Sequence, residues 1–320
     1  MDLKNKTIIV TGASGFIGGQ TVLALIDQGL RPIAIDNRPL PEHLMSQDFE
    51  FVQQDFAHPA MLQWIVSRAP QAIIHCAGTS LVGPSIQDPA EYYSNNVMKT
   101  MALINTIRAS GLRTRIIYSS SAAVYGVPVM SPCQEVDLCD PISPYGESKR
   151  MVEQMLQSYQ RAYGLDYVAF RYFNACGADP QGRHGQAPGA THIVAKALEA
   201  MKREYDFFLY GDDYPTPDGT CIRDYVHVDD IARAHVKAID TDIPGGIYNL
   251  GTNQGTSNRQ ILAAAQAVTG LECKVEVCAS RLGDPPVLTA CDDRFHAVAG
   301  SWRQYGLDDM IKHAWTWYNR

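Results

Sequence analysis

The sequence of 320 residues predicts an α/β fold with a doubly wound parallel sheet, and three features support this prediction. Short apolar runs alternate with amphipathic helical stretches through the first half of the chain. A glycine-rich turn follows the first apolar run directly, and the alternation ends near Phe173. We therefore expect a sheet domain over residues 1–173 and a smaller mixed α/β domain over 174–320, some segments of which pack back onto the first.

The apolar runs have the length and composition of buried parallel strands, and the stretches between them have helical periodicity. We predict strands at Thr7–Val10, Pro32–Ile35, Glu50–Val52, Ala72–His75, Arg115–Tyr118, Tyr167–Arg171 and 207–210. We predict helices at Gly18–Gln28, Met61–Ala69, Glu91–Ser110, Pro144–Tyr163 and 192–203, and a loop at Asn174–Ala190. Ligands bind at the carboxyl edge of such sheets, so the second domain is expected to hold the substrate there.

The composition excludes several classes of protein. The net charge of −7 and the pI of about 5.7 give no basic footprint for nucleic acid. No apolar run approaches the ~20 residues of a membrane span, and the start MDLKNKTIIVTG lacks an apolar leader. Eight cysteines without a CxxC pair argue against a zinc or disulfide framework. We expect a cytoplasmic protein with no metal site.

The stretch TGASGFIGG follows the first predicted strand and sets Gly12, Gly15 and Gly18 in GxxGxxG spacing. Such a turn lets the backbone approach a pyrophosphate at the start of a helix. Asp36 ends the second strand, where a carboxylate binds a ribose 2′-OH and repels a 2′-phosphate. The pattern predicts a Rossmann-type sheet that binds NAD, and the nearby Arg38 leaves NADP open. A structural turn with an exposed acid is the alternative.

The segment SPYGESK predicts the start of a helix, with Ser143 as its cap and Pro144 in its first turn. Tyr145 and Lys149 then lie one turn apart on the side that faces the interior. Ser121 ends the fifth strand, in YSSSAAVYG, so the three side chains can converge. The alternative is a lysine that reaches solvent beside a tyrosine that only starts a helix.

In the chemical interpretation, Tyr145 is a general base. We expect the Lys149 ammonium and a positive nicotinamide ring to lower its pKa from about 10 toward neutrality. Lys149 would also bind the nicotinamide ribose, and Ser121 would hydrogen-bond the reacting oxygen.

These motifs resemble the extended short-chain dehydrogenase/reductase superfamily, and within it the nucleotide-sugar 4-epimerases of the UDP-glucose 4-epimerase type. The resemblance covers nearly the whole chain and is also carried by HCAGTSLVGPSIQDPAEYYSNNV, FRYFNACGA, LYGDDYPTPDGTCIRDYVHVDDIARAH, YNLGTNQG and RLGDPPVL. It implies an NAD-dependent enzyme that interconverts UDP-glucose and UDP-galactose through a 4-keto sugar. It also implies a homodimer that pairs the helices near 91–110 and 144–163.

The resemblance implies roles for individual residues. The implied cofactor residues are Gly12, Gly15, Phe16, Ile17, Gly18, Asp36, Asn37, Asp55, Phe56, Ala77, Gly78, Asn95, Tyr145, Lys149 and Phe173. The implied UDP-sugar residues are Ser121, Asn174, His192, Tyr210, Arg223, Arg281, Asp284 and Leu288. Among them, Tyr210 would pack on uracil, Asp284 would bind the uridine ribose, and the arginines would bind the diphosphate. Surface ion pairs, a core ring at Tyr210 and a plain loop acid at Asp55 are the alternatives.

Two positions depart from the pattern of the family. Ser80 stands where many relatives carry a lysine, which removes a cationic contact to the cofactor. Leu288 stands where relatives gate the C2 substituent of the sugar, and its intermediate size leaves N-acetylhexosamine and pentose substrates open.

Other activities on the same fold are less well supported. Nucleotide-sugar dehydratases and decarboxylases of the superfamily place acids directly after the catalytic Ser or Thr, whereas this chain has Ala122 and Ala123. A non-catalytic NAD-dependent regulator is a further alternative, although such proteins commonly lose the Tyr or Lys that this chain keeps.

Overall fold

Parallel strands with helices on both faces form the main part of this computed structural model, which describes residues 6–187, 189–240, 242–281 and 284–320. The strands are β1 (Ile8–Thr11), β2 (Ile33–Asp36), β3 (Glu50–Gln53), β4 (Ala72–His75), β5 (Arg115–Ser121), β6 (Tyr167–Tyr172), β7 (Asn174–Cys176), β8 (Phe207–Tyr210), β9 (Ile222–His227), β10 (Gly246–Leu250), β11 (Gly255–Ser257), β12 (Val275–Cys278) and β13 (Val287–Leu288).

The helices are α1 (Phe16–Asp27), α2 (Pro59–Ser67), α3 (Val82–Gln87), α4 (Pro89–Tyr92), α5 (Lys99–Ser110), α6 (Pro144–Tyr163), α7 (Ile193–Arg203), α8 (Val228–Lys237), α9 (Asn258–Thr269), α10 (Asp293–Ala299) and α11 (Leu307–Tyr318). Short 3₁₀ turns lie at Glu42–Leu44 and Ala122–Tyr125, and a π-helix lies at Tyr93–Met98. Within the ranges that the structure describes, no helix has both the length and the apolar character that a bilayer crossing needs.

The predicted doubly wound parallel sheet is confirmed. Among the described residues, seven strands form it in the order β10-β6-β5-β4-β1-β2-β3. From β1 the chain adds β2 and β3 toward one edge of the sheet. It then adds β4, β5, β6 and β10 toward the other edge, so the strand order reverses between β1 and β4. Ligands bind in the crevice at the carboxyl ends of strands beside such a point. The glycine turn after β1 and the residues that follow β4 and β5 meet at this crevice.

Apolar side chains alternate between the two faces of the sheet, as the period of a strand requires. One face packs under α1 and α8, through a cluster that includes Ile8, Val10, Val22, Leu25, Val168, Phe170, Ile231 and Ala234. The other face packs under α2, α5 and α6, through a cluster that includes Ile9, Ile65, Ile73, Leu103, Ile116, Val152 and Leu156. Because both faces are covered, the carboxyl edge of the sheet is left to hold ligands.

The chain is helical throughout the predicted stretch Glu91–Ser110, but its middle is a π-helix that lies between α4 and α5. The wider turn of a π-helix changes the direction of its side chains. The side chain of Asn96 binds both backbone groups of Thr79, at 2.8 and 3.0 Å. Its amide also donates to Ser148 Oγ at 2.9 Å. The π-helix therefore fastens the loop after β4 to α6.

The second half of the chain forms smaller sheets beside the main one. β11, β9 and β13 lie side by side, β7 also pairs with β9, and β8 pairs with β12. The predicted loop at Asn174–Ala190 is thus wrong at its start, where β7 forms. β10 pairs with β6 in the main sheet, and α8 packs against α1. The boundary at residue 173 stays a prediction, since the chain returns to the main sheet after β9.

A buried ion pair joins α6 to the main sheet. Arg171 on β6 donates to both carboxylate oxygens of Glu153 on α6, at 2.9 and 2.8 Å. The hydroxyl of Ser120 on β5 donates to the same carboxylate at 2.6 Å. The side chains of Arg171 and Glu153 are only 1% and 0% exposed. The pair fixes the position of α6 along its own axis relative to the carboxyl end of β5.

Glu153→Ala should lower the free energy of unfolding by about 3–5 kcal/mol, because it leaves the buried Arg171 guanidinium unpaired. Denaturant titration followed by circular dichroism would measure this loss. The matched control is Arg31→Ala, which breaks a pair with Asp48 whose side chains are 69% and 82% exposed. That change should cost less than about 1 kcal/mol. Equal losses of unfolding free energy in the two variants would show that the buried pair stabilises the fold no more than an exposed pair does.

Candidate active site

The turn after β1 has the geometry of a phosphate-binding loop. Gly12 has a φ of +74°, and a Cβ on it would stand 2.6 Å from the backbone nitrogen of Ala77. A Cβ on Gly18 would stand 2.1 Å from the carbonyl oxygen of Gly12. In the described structure no side chain caps the start of α1 at Gly15, and its first turn carries no acid. The N–H groups there are free to bind an anion, so these residues fit a diphosphate.

Asp36 ends β2 at the edge of this turn and is nearly buried. Its carboxylate accepts hydrogen bonds from the backbone N–H groups of Ser14 and Arg38, both at 2.9 Å. The Arg38 guanidinium approaches the same carboxylate at 3.3 Å. The predicted ribose acid is therefore positioned by main-chain donors and is also paired with a cation.

Asp55 follows β3, the strand next to β2. Lys99 Nζ lies 2.7 Å from its carboxylate, and the Ala57 N–H donates to it at 3.0 Å. Burial acts to raise the pKa of Asp55, but these hydrogen bonds and the charge of Lys99 outweigh it, so the pKa is lowered. Beside it, the buried Phe56 ring packs edge-on against His75, with centroids 4.9 Å apart. Both predicted adenine residues thus lie at the same edge as Asp36.

Tyr145 and Lys149 lie in the first turns of α6, where the sequence places them. The predicted cap is confirmed, because Ser143 Oγ accepts from the Gly146 N–H at 3.2 Å. Tyr145 and Lys149 are 9% and 5% exposed, so both face the interior. Lys149 Nζ donates to the carbonyl oxygen of Ser119 at 2.8 Å and lies 5.9 Å from the centre of the Tyr145 ring.

The ionisation of this pair differs from our expectation. Burial lowers the pKa of Lys149 to about 8, although Cys76 and Glu153 act to raise it. Burial also raises the pKa of Tyr145 above its ordinary value, against the effect of a hydrogen bond with Ser121. The predicted lowering by Lys149 is therefore wrong for the chain alone, because desolvation exceeds any attraction at this separation.

The loop after β4 passes beside Lys149. Gly78 has a φ of +153°, and a Cβ on it would stand 2.7 Å from Asn96 Oδ1 and 3.7 Å from Lys149 Nζ. Asn95 donates to Thr79 Oγ1 at 3.1 Å from the same π-helix. The structure thus brings together the predicted Gly78, Asn95 and Lys149. Reasoning from sequence missed Asn96, which holds this loop, because a π-helix leaves no periodic signal.

Six of the predicted substrate residues line one cavity of about 770 Å³, and they are Asn174, His192, Tyr210, Arg223, Arg281 and Asp284. The Arg281 guanidinium lies 4.1 Å above the Tyr210 ring. Arg223 Nη2 lies 3.5 Å from Asp284 Oδ1, and its Nη1 donates to the carbonyl oxygen of Pro285 at 2.7 Å. The sequence did not single out other residues that line the cavity, including Tyr205, Phe207, Phe208 and Asn258.

The remaining predicted residues are not part of the lining of this cavity. Leu288 on β13 lies outside the lining, pairs in register with Arg223 and packs against a cluster that contains Ala122 and Phe173. Ser121 on β5 is the register partner of Tyr172 on β6, directly before Phe173. Of the other predicted cofactor residues, Phe16 and Ile17 lie in the first turn of α1, Asn37 is exposed after Asp36, and Ala77 is half-buried after β4. Their contacts with a cofactor stay predictions.

Comparisons with known proteins agree with this geometry. A UDP-glucose 4-epimerase of Halalkalibacterium halodurans is 39% identical over 318 residues, which cover 97% of this chain and 95% of that protein. The crystal structure of UDP-glucose 4-epimerase from Brucella ovis in complex with NAD is similar with a TM-score of 0.91 and 41% identity, over 97% of this chain and 98% of that one. The Bifidobacterium longum UDP-glucose 4-epimerase in complex with NAD+ and UDP has a TM-score of 0.89 and 32% identity, with 98% of each chain covered.

A family-level match agrees with these pairwise likenesses. Residues 8–251 match the family described as NAD dependent epimerase/dehydratase. This range includes the glycine turn, the acid that ends β2, the tyrosine and lysine of α6, and most of the cavity wall. The chain therefore belongs to the NAD dependent epimerase/dehydratase family.

Proposed function

We propose that this protein is an NAD-dependent UDP-sugar 4-epimerase that interconverts UDP-glucose and UDP-galactose. The observation that carries the proposal is the buried pair of Tyr145 and Lys149 beside Ser121, at the sheet edge that also holds the uncapped phosphate turn. The cavity with two arginines next to this edge supports a nucleotide-diphosphate substrate. Relatives named UDP-glucose 4-epimerase match over nearly the full chain, which supports the same activity.

The chain holds NAD with residues at three strand ends and with one residue of α6. The turn after β1 and the first turn of α1 bind the diphosphate, and Asp36 binds the adenosine ribose. Asp55 and Phe56 frame the adenine, while Lys149 binds the nicotinamide ribose. When bound, NAD supplies the acceptor for a hydride from the sugar and returns that hydride later.

The UDP part of the substrate is anchored in the cavity. Tyr210 packs on the uracil, and Asp284 binds the uridine ribose. Arg223 and Arg281 bind the diphosphate, with Asn174 and His192 beside it. Strong binding of the nucleotide fixes the substrate while the sugar itself is held loosely. This difference lets the oxidised sugar turn about its link to the diphosphate without leaving the site.

The proton of the 4-OH moves through Tyr145. The phenolate of Tyr145 takes this proton as C4 is oxidised, and Ser121 holds the oxygen by a hydrogen bond. The 4-keto sugar then turns over, and Tyr145 returns the proton to O4 as the opposite face of C4 is reduced. The Lys149 ammonium stabilises the phenolate, and bound NAD would supply a further positive charge beside it.

The residues after Ser121 favour epimerisation over dehydration or decarboxylation. Ala122 and Ala123 carry no proton donor or acceptor, and Ala122 is buried. Leu288 packs on this segment, and we propose that its size admits hexoses most readily, with N-acetylhexosamines and pentoses as alternatives.

For assembly and location, we propose a homodimer that pairs α5 and α6, in the cytoplasm, with a role in galactose metabolism. Met98, Met101 and Met151 support this pairing, because they leave 62%, 41% and 43% of their surface exposed on or beside these helices.

A panel of sugar nucleotides tests the proposed activity directly. The protein is incubated with UDP-glucose, UDP-galactose, UDP-GlcNAc, UDP-GalNAc and UDP-xylose, and the products are separated and assigned by NMR. UDP-glucose should yield UDP-galactose at equilibrium. A 4-keto-6-deoxy product or released CO2 would instead support a dehydratase or a decarboxylase, and an unchanged panel would contradict the proposal.

Tyr145→Phe should lower kcat for UDP-glucose by about 10²–10⁴-fold, because it removes the group that moves the 4-OH proton. The measurement is the rate of UDP-galactose formation in the substrate-saturated enzyme. Tyr163→Phe is the matched control, since Tyr163 lies at the other end of α6 and is 59% exposed. A Tyr145→Phe enzyme as fast as the control would remove Tyr145 from the mechanism.

Lys149→Met should abolish epimerisation and yet stabilise the fold at neutral pH. Burial lowers the pKa of Lys149 from 10.5 to about 8, so the unfolded chain holds this proton more tightly than the folded one. The resulting penalty, at most about 3 kcal/mol, is complete below pH 8 and is lost as the pH rises toward 10.5.

The gain from Lys149→Met should therefore be largest at pH 7 and shrink at alkaline pH. Denaturant midpoints of both proteins at several pH values would measure it. A variant that is less stable than the wild type at pH 7 would show that the contact with Ser119 outweighs the cost of burying the charge.

A further inference from the structure

Two acids at the adenosine end of the proposed cofactor site are each paired with a basic side chain. Asp36 pairs with Arg38 at 3.3 Å, and Asp55 pairs with Lys99 at 2.7 Å. The acids follow neighbouring parallel strands, and the Gln54 N–H donates to the Asp36 carbonyl oxygen at 2.8 Å. This corner of the site therefore holds two cations and is not a bare anionic surface.

Arg38 is placed to reach a ligand. Its guanidinium contacts both oxygens of the Asp36 carboxylate, at 3.3 and 3.4 Å. Its Nη2 also lies 3.4 Å from the point where a Cβ on Gly15 would stand, so it borders the phosphate turn. The Arg38 side chain is 61% exposed, whereas that of Asp36 is 4% exposed. The cation is thus at the surface and the acid lies beneath it.

The carboxylate does not depend on this cation for its hydrogen bonds. The backbone N–H groups of Ser14 and Arg38 each bind one of its oxygens at 2.9 Å. The guanidinium can therefore turn from Asp36 to a ligand while each carboxylate oxygen keeps a backbone hydrogen bond. A planar guanidinium binds phosphate with two parallel hydrogen bonds, which makes it a good partner for such a ligand.

We propose that Arg38 gives the adenosine pocket a dual specificity, so that the protein binds NADP(H) as well as NAD(H). The guanidinium contacts the 2′-phosphate. An acid at this position ordinarily repels a 2′-phosphate, and here the guanidinium offsets that charge. The inference rests on the proposed dinucleotide site and extends its range of ligands.

Direct binding measurements test this proposal. The purified protein is freed of nucleotide and titrated with NADH and with NADPH, and the nicotinamide fluorescence reports binding. NADPH should bind within about 100-fold of NADH, a difference of about 2.7 kcal/mol. Arg38→Ala should weaken the binding of NADPH by at least about tenfold, and it should change the affinity for NADH by less than about threefold.

Two further variants sharpen the test. Arg31→Ala is the matched control, because Arg31 lies before β2, pairs with the exposed Asp48 and is at the opposite end of the strand from Arg38. It should change neither affinity. Asp36→Asn removes the charge that opposes the 2′-phosphate, so the ratio of the NADPH to the NADH affinity should rise by about tenfold or more.

The outcomes separate this inference from the proposed function. NADH binding with NADPH more than about 1,000-fold weaker would overturn the dual specificity and leave the epimerase proposal standing. Equal weakening of both nucleotides by Arg38→Ala would overturn it too, because Arg38 would then be a general adenosine contact. Failure of both nucleotides to bind would overturn the dinucleotide site itself.

Discussion

The arrangement of the site depends on keeping the ammonium of Lys149 inside the protein. A buried lysine without compensation tends to lose its proton, and the pKa of about 8 shows that part of this cost remains in the fold. One carbonyl oxygen, that of Ser119, accepts from the ammonium directly. The ammonium also lies 5.0 Å from the centre of the Tyr118 ring, and contacts that hold α6 and the loops around it in fixed positions add indirect support.

Two of these contacts act from opposite sides of α6. The buried pair of Arg171 and Glu153 holds the helix against β5 and β6, on which Ser121 and Phe173 depend for their positions. The Asn96 side chain holds the loop after β4 against the first turns of the helix, through Thr79 and Ser148. A tyrosine and a lysine at the start of one helix are therefore kept in place by strands and loops from several parts of the sequence.

Local signals explain which features the sequence revealed. The bounds of α6 follow from a serine cap, a proline and a steady helical period, and the strands of the sheet follow from short apolar runs. Six of the residues that line the cavity were found through family resemblance, and the structure brings these six together. Their individual roles stay predictions, because contact with a common cavity does not assign a ligand to each side chain.

Features that depend on distant residues were not visible in the sequence. The place of β10 beside β6 and the pairing of Lys99 with Asp55 both require contacts between separate segments. The raised pKa of Tyr145 has the same origin, since burial is a property of the packed structure and not of the YxxxK spacing. Reasoning from charge alone overestimated how far Lys149 lowers the pKa of Tyr145.

The return of the chain to the main sheet limits how the molecule can move. After leaving the sheet at β6, the chain forms β7 to β9, returns through α8 and β10, leaves again for β11, and later packs Phe295 and Trp302 into the core beneath β10. Several covalent crossings, rather than a single hinge strand, thus connect the cavity to the sheet. Rigid opening of the cavity about one axis would strain all of these crossings together.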